Sequence, residues 1–366
     1  MSDVTELQVD RGDYRRTRIV TREAEPLAED QARFRIERFA LTSNNVTYAV
    51  AGDTIGYWRF FPREGEWGVV PVWGIGVVEE TRSDLEVGEA IYGYFPMASE
   101  AVMEVGRVKP GSFTETSKHR AALPPLYNNY RRLAAEPGGD QFLDERCLYF
   151  PLFMTSYAIA DWLLDNDMFG AEQVVIGSVS SKTGLGVAKF LRRMAPAVRI
   201  VGLTSPANVA FVEGLESCDL VLPYGREADI PADMPTAYVD MSGNAELART
   251  LHHHFEDSLV LSSRVGATHW EGSAIGQGAG KGAGREPLPG AKPEMFFAPS
   301  QILKRETDWG PGKFVAKAGA ASLGLAQELS GTLRIDRIAS ADALAQVWGE
   351  FLDNAVPPTR AVMVAL

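Results

Sequence analysis

The chain has 366 residues, 45% of them hydrophobic and 23% charged, an ordinary soluble composition with room for one large or two medium domains. A formal net charge of -12 argues against nonspecific nucleic-acid binding, which needs a basic face, and no apolar run reaches the roughly 18 residues of a membrane span. The charged opening, residues 1–21, lacks a secretory core, and two cysteines, Cys147 and Cys218, make neither a zinc cluster nor a disulfide framework, so a reducing cytoplasm is expected.

The first half reads as short strands. Residues 33–41 (RFRIERFAL) alternate partly with period two, and residues 69–79 (VVPVWGIGVVE) form a β-rich run broken by glycines, as bent barrel strands are. Residues 86–94 give a turn and a strand, and residues 106–113 a further strand and turn around Pro110 and Gly111. Many short strands with turn signals predict a small β-barrel.

From about Asp144 the texture changes. Residues 149–164 are long, apolar and aromatic, which predicts a buried helix. Strands at 173–179, 198–204, 220–222, 237–240 and 258–262 then alternate with helices at 184–194, 206–215 and 244–254. That alternation predicts a parallel, doubly wound sheet. Residues 266–290 are rich in Gly, Ala and Pro and are expected to form a mobile loop. Strand texture returns at 295–298, and helices near 315–329 and 341–353 close the chain.

The organising stretch is residues 174–187, V-V-I-G-S-V-S-S-K-T-G-L-G-V. An apolar strand runs into a small-residue turn and then a helix, and the first-turn N–H groups of such a helix form an anion site. The turn departs from G-x-G-x-x-G, because Val179 stands where the middle glycine belongs. Residues 177–183 also read as G-x-x-x-x-K-T, a triphosphatase loop with Ser181 in place of the glycine before the lysine. An unliganded turn is the third reading; the strand–helix alternation favours a dinucleotide.

A sheet that binds NAD usually carries an acid after its second strand, for the ribose 2′-OH. Here residues 204–208 read T-S-P-A-N, and no carboxylate appears before Glu213. Hydroxyl and amide groups accommodate a 2′-phosphate that an acid would repel, so NADP(H) is expected, with Lys182 or Arg226 supplying charge. The expected cofactor set is Ser178, Ser180, Ser181, Lys182, Thr183, Gly184, Thr204, Ser205, Asn208, Tyr224 and Ser263.

A β-rich start, a central doubly wound part and a short return together resemble the medium-chain dehydrogenase/reductases over most of the chain. Residues 70–78 (VPVWGIGVV) resemble that family's P-G-x-E-x-x-G-x-V signature without its acid, and residues 84–93 (DLEVGEAIYG) its F-x-V-G-D-x-V-x-G turn. The zinc enzymes of the family carry a cysteine ligand and a His-Glu pair where residues 41–45 (LTSNN) and Trp73-Gly74 stand, and their four-cysteine lobe is absent, so no metal is expected. The chain is most similar to the zinc-free, quinone-oxidoreductase-like branch, and within it to a branch catalogued only as a domain of unknown function. That resemblance implies an α/β fold of a GroES-like β-barrel domain, residues 1–145 completed by about 310–366, and a Rossmann domain at 146–309. It also implies a homodimer acting on a small molecule. Residues 221–224 (VLPY) resemble the segment whose tyrosine touches the 2′-phosphate. Asn44, Asn45, Thr47 and Tyr48 match a segment that lines the nicotinamide pocket, lacking its aspartate.

Zinc-free relatives transfer hydride from NADPH to a conjugated alkene or quinone, and the developing oxyanion needs a donor. Tyr48 is the first candidate, with Asn45 as orienting amide; packing of Tyr48 in the barrel is the competing reading. Tyr57, in what reads as an aromatic strand, is a second candidate, and Asn128, Asn129 and Tyr130 suit either a cleft cap or a turn before a helix. His252, His253 and His254 are adjacent, so on a helix they cannot converge on one ion and are expected at a solvated helix end; His119 and His269 are isolated. Cys147 and Cys218 are expected in the core. No tyrosine has lysine four residues on, which excludes the short-chain reductase pattern. A non-catalytic NADPH sensor and a nucleotide triphosphatase, the latter drawing on Lys182, Thr183 and Asp240, are the alternatives.

Overall fold

The computed structural model describes residues 3–136, 138–265 and 288–366; residues 266–287 of the Gly-rich stretch, with His269, lie outside the described residues. The chain forms two units, residues 1–148 with 330–366 and residues 149–329.

The first unit opens with β1 (Asp3–Asp10) and β2 (Thr17–Glu23), antiparallel to each other. Their charge hides them in the sequence. Glu6, Gln8 and Asp10 of β1 are buried, each against an arginine: Arg63 Nε donates to Glu6 at 2.8 Å, Arg18 Nε to Gln8 at 2.9 Å and Arg16 to Asp10 at 2.6 Å. Next come β3 (Gln31–Leu41), α1 (Ser43–Val50) and the two-residue β4 (Trp67–Gly68), which pairs with β1. The barrel then adds β5 (Pro71–Thr81), β6 (Ala90–Pro96), β7 (Glu100–Lys109), β8 (Ser112–Glu115) and β9 (Asn129–Arg132). Its order is β3-β5-β6-β9-β8-β7, and pairing of β7 back to β3 closes it. Phe34, Phe95, Phe113 and Tyr130 fill its interior, with Phe113 stacked on Tyr130 at 5.1 Å.

Two local expectations are corrected here. Tyr57 lies in a 3-10 turn, Tyr57–Arg59, not a strand, because Gly56 at φ 95° redirects the chain. Tyr130 sits not in a turn but in strand β9, fully buried.

Helix α2 (Leu143–Asp165) contains the boundary between the units. It is long and apolar enough to cross a membrane by composition, and 72% of its most apolar window is buried within the fold.

The second unit contains β10 (Gln173–Gly177), α3 (Lys182–Met194), β11 (Arg199–Thr204), α4 (Val209–Glu213), β12 (Leu220–Pro223), β13 (Thr236–Asp240), α5 (Ala245–Phe255), β14 (Leu259–Arg264) and β15 (Glu294–Met295). The strand order is β12-β11-β10-β13-β14-β15, parallel throughout, so the order reverses between β10 and β13. Val175, Val201 and Tyr238 of the sheet pack with Leu247, Leu251 and Phe255 of α5. Strand texture ends earlier than expected: α6 (Ala298–Trp309) begins at Ala298, with a proline in its first turn where the fixed φ favours a helix start. Helix α7 (Lys313–Glu328) completes the unit.

The return to the first unit adds β16 (Arg334–Ile338), α8 (Ala341–Leu352) and β17 (Arg360–Val364). Strand β17 runs antiparallel to β3 and extends the barrel sheet.

Candidate functional site

In an open parallel sheet, ligands bind beyond the carboxyl ends of the strands where the order reverses. That point lies at Gly177, which ends β10, and Asp240, which ends β13 beside it. The small-residue turn leads from Gly177 into α3. Ser178 takes φ +56°, and Ser181 caps the helix, its Oγ accepting from the Gly184 N–H at 3.1 Å. Val179 replaces a glycine without entering the crevice. Its side chain is fully buried against β11, where a Cβ on Gly202 would lie 2.7 Å from Val179 Cγ1.

Several sequence-predicted residues meet at this turn. Thr204 Oγ1 donates to Ser180 Oγ at 2.8 Å, and Asn208 Nδ2 donates to Ser205 Oγ at 2.8 Å and to Ser180 Oγ at 3.4 Å. The Tyr224 N–H donates to the Thr204 carbonyl at 2.8 Å; its phenol is pushed up to about 12 by burial, against a hydrogen bond with Ser178. Lys182 opens α3, and desolvation pushes its ammonium down to about 8. Thr183 sits in the same first turn, its carbonyl accepting from Ser156 Oγ at 2.8 Å. Ser263 stands apart from this network on β14, paired in register with Val239.

The far side of the reversal point carries Asp240, which sequence reading gave only to the triphosphatase alternative, beside the expected cofactor residue Ser263. Asp240 is buried, and burial raises its carboxyl above the usual range. Its Oδ1 accepts from the Ser242 hydroxyl at 2.6 Å and from the Ser242 and Gly243 N–H groups, and the Tyr238 hydroxyl bears on the same carboxylate, opposing the effect of burial. Ser263 Oγ is buried without a partner. The available signal was the D-x-S-G run (residues 240–243) closing an apolar strand.

In the first unit, Asn45 is committed to structure. Its Oδ1 accepts from the Thr42 N–H at 2.8 Å, boxing the start of α1, and Nδ2 donates to the Pro71 carbonyl at 3.0 Å. The Tyr48 hydroxyl accepts from Trp73 Nε1 at 3.3 Å. Its ring lies 4.5 Å from Tyr57 and 5.6 Å from Tyr94, and burial holds its phenol far above the usual range. Tyr57 pairs with the Tyr127 hydroxyl at 3.1 Å. Asn128 Nδ2 donates weakly to the Arg120 carbonyl at 3.4 Å.

The three histidines diverge. His252 is fully buried rather than solvated, bridging the Pro289 carbonyl at 2.7 Å and Ser262 Oγ at 2.9 Å, while His253 is exposed and His254 reaches the Ile230 carbonyl at 2.8 Å. Among the described residues, no three His, Cys, Asp or Glu side chains converge as a metal would require. Burial pushes the Cys147 thiol far up and that of Cys218 up to about 11, so neither is a poised nucleophile.

Residues 39–357 match the model of a family described as a protein of unknown function, DUF2855. The chain belongs to that family. No curated protein matches the sequence. Among solved structures, the DUF2855 chain is similar to CurA of Vibrio vulnificus in complex with NADPH (11% identity, 94% of this chain and 93% of that one, TM-score 0.58). It is also similar to the quinone oxidoreductase of Coxiella burnetii (11%, 100% of both chains, TM-score 0.54) and to a mutant enoyl thioester reductase of Candida tropicalis (8%, 100% of both chains, TM-score 0.59). At these identities the likeness establishes the fold alone, a GroES-like barrel and a Rossmann-like parallel sheet.

Proposed function

We propose that this DUF2855 protein is an NADP(H)-dependent, zinc-independent oxidoreductase acting on a small carbonyl-conjugated alkene or quinone. The observation that carries this reading is the small-residue turn at the reversal point of the parallel sheet, flanked at the end of β11 by hydroxyls and an amide with no carboxylate. The complexes of CurA with NADPH and of a Salmonella enterica oxidoreductase with NADP support it.

NADPH, when bound, would supply a hydride to the β-carbon of the substrate, with a proton completing the reduction. This chain's residues would do the rest. The turn and the first-turn N–H groups of α3 would hold the pyrophosphate. Thr204, Ser205, Asn208 and Tyr224 would hold the 2′-phosphate, with Lys182 supplying charge. Ser263, on β14, would stand with the cofactor set. The Tyr48 phenol, kept protonated by burial, would donate to the developing oxyanion.

One observation favours a second reading, a non-catalytic NADPH sensor: the Asn45 amide is spent on Thr42 and Pro71 and Tyr48 is locked among aromatic rings. The test is NADPH and NADH titration followed by NADPH oxidation with quinones and enones. Selective NADPH binding with turnover supports the reductase; selective binding without turnover over a broad panel supports the sensor; no binding overturns both. Among the described residues β15 is an edge strand with Met295 exposed, and Phe297 and Leu303 are exposed beyond it, which supports the homodimer that sedimentation would test.

A further inference from the structure

Asp240 ends β13 directly beside Gly177, where the small-residue turn leaves β10. A Cβ on Gly177 would lie 3.2 Å from Asp240 Oδ1 and 2.9 Å from the Tyr238 hydroxyl, so the carboxylate lies against the backbone of the turn itself. It is 1% exposed, and water does not screen it.

The groups that hold its charge are neutral: the Ser242 hydroxyl and N–H, the Gly243 N–H and the Tyr238 hydroxyl of its own strand. The Tyr224 phenol past β12 lies within reach of the same charge. Arg264 is its register partner on β14 but forms no ion pair with it among the described residues, and Lys182 opens α3 beyond the turn. A buried carboxylate held by neutral donors tolerates ionisation poorly, and burial holds this one above the usual range. A dinucleotide would bring the two negative charges of its diphosphate to the same turn. Like charges packed into a dry site cannot all stay ionised, and the carboxyl is the member that can take a proton.

We propose that coenzyme binding makes Asp240 take up a proton, so that this one buried acid ties the affinity of the site for dinucleotides to pH. The inference rests on the reading of the turn as a coenzyme site. By linkage, ionised Asp240 weakens the coenzyme by the same factor by which the coenzyme disfavours ionisation. The diphosphate is common to NADPH and NADH, so both should show the effect.

The test is fluorescence titration of NADPH and NADH from about pH 5.5 to about pH 8.5, in wild type and in Asp240→Asn. The amide keeps an oxygen for the Ser242 and Gly243 donors and cannot ionise. Comparing the two proteins cancels the titration of Lys182 and of the 2′-phosphate of NADPH, which falls at about 6. As pH rises, both coenzymes should weaken about tenfold more in wild type than in the variant. Matching pH profiles in the two proteins overturn the proposal and leave the coenzyme site standing; no binding of either coenzyme at any pH overturns both. Should Asp240→Asn fail to fold, carbon-13 NMR of the wild-type aspartate carboxyls decides. One carboxyl should titrate at higher pH when NADPH is saturating, and no such movement overturns the proposal.

Discussion

Placing a carboxylate at residue 205 tests whether the end of β11 receives a 2′-phosphate. Ser205 is half-buried, and its Oγ accepts from Asn208 Nδ2 at 2.8 Å, a bond that the carboxylate of Ser205→Asp retains. Unfolding temperature should therefore move by no more than about 1–2 °C. A phosphate held by Thr204, Ser205 and Asn208 would lie roughly 5 Å from the new charge. At that distance each charge pair costs about 0.8 kcal/mol in a water-like medium and about 3 kcal/mol at the dielectric typical near a protein surface. With roughly two negative charges on the phosphate and physiological screening, a penalty of about 2 kcal/mol remains, near thirtyfold in affinity. NADH carries no such phosphate, and a carboxylate there would accept from its ribose 2′-OH. Fluorescence titration of both coenzymes at low and high salt reads the effect. NADPH should weaken about thirtyfold with the penalty shrinking as salt rises, and NADH should hold or improve. Equal weakening of the two, or none, refutes the placement.

Lys182 carries a pH signature. Its folded-state ammonium is pushed down to about 8 from 10.5, so between those values the unfolded chain binds more protons and stability rises with pH. Denaturant melts should show that rise and Lys182→Met should flatten it, while NADPH affinity of the native protein should fall as pH climbs through about 8. Gly186→Ala should cost about 1–3 kcal/mol, because the added Cβ would lie 2.5 Å from Ser156 Oγ and 2.8 Å from Phe153 on α2; an unchanged melt would contradict that packing. Tyr48→Phe separates the two functional readings. If its phenol meets the substrate oxygen, turnover falls about a hundredfold with NADPH affinity unchanged, and a phenol that only packs leaves turnover intact.

The second unit was legible because a parallel sheet announces itself. Its central strands are short, largely apolar runs buried on both faces, as in residues 173–177 and 236–240, and helices α3, α4 and α5 follow their strands within a few residues. The polar groups of the turn stand next to strand ends in the chain, so finding the strands found them. Tyr224 illustrates this: it lies one residue past β12, and the register of β12 on β11 alone brings its N–H to the Thr204 carbonyl. The same logic fails where burial is bought with charge. Strand β1 goes unassigned in the charged opening because Glu6, Gln8 and Asp10 interrupt its apolar residues, and only the arginines drawn from 57, 10 and 6 residues away account for their burial. His252 misleads in the same way, since the Ser262 hydroxyl and Pro289 carbonyl that satisfy it are distant in sequence.

The Trp58 indole, clamped between Gly52 and Gly68, shows why the barrel half withholds most. Nothing in Gly52, Trp58 or Gly68 separately suggests a fixed indole; the clamp exists only because α1, the 3-10 turn and β4 converge. A polar group's partner can be inferred from sequence when local geometry dictates it, as with the Asn45 box on Thr42. The absence of a partner cannot, because it depends on every element that packs around the group. Unmet groups, at Trp58 and Arg11 in one unit and at Ser263 in the other, therefore emerge only from the fold.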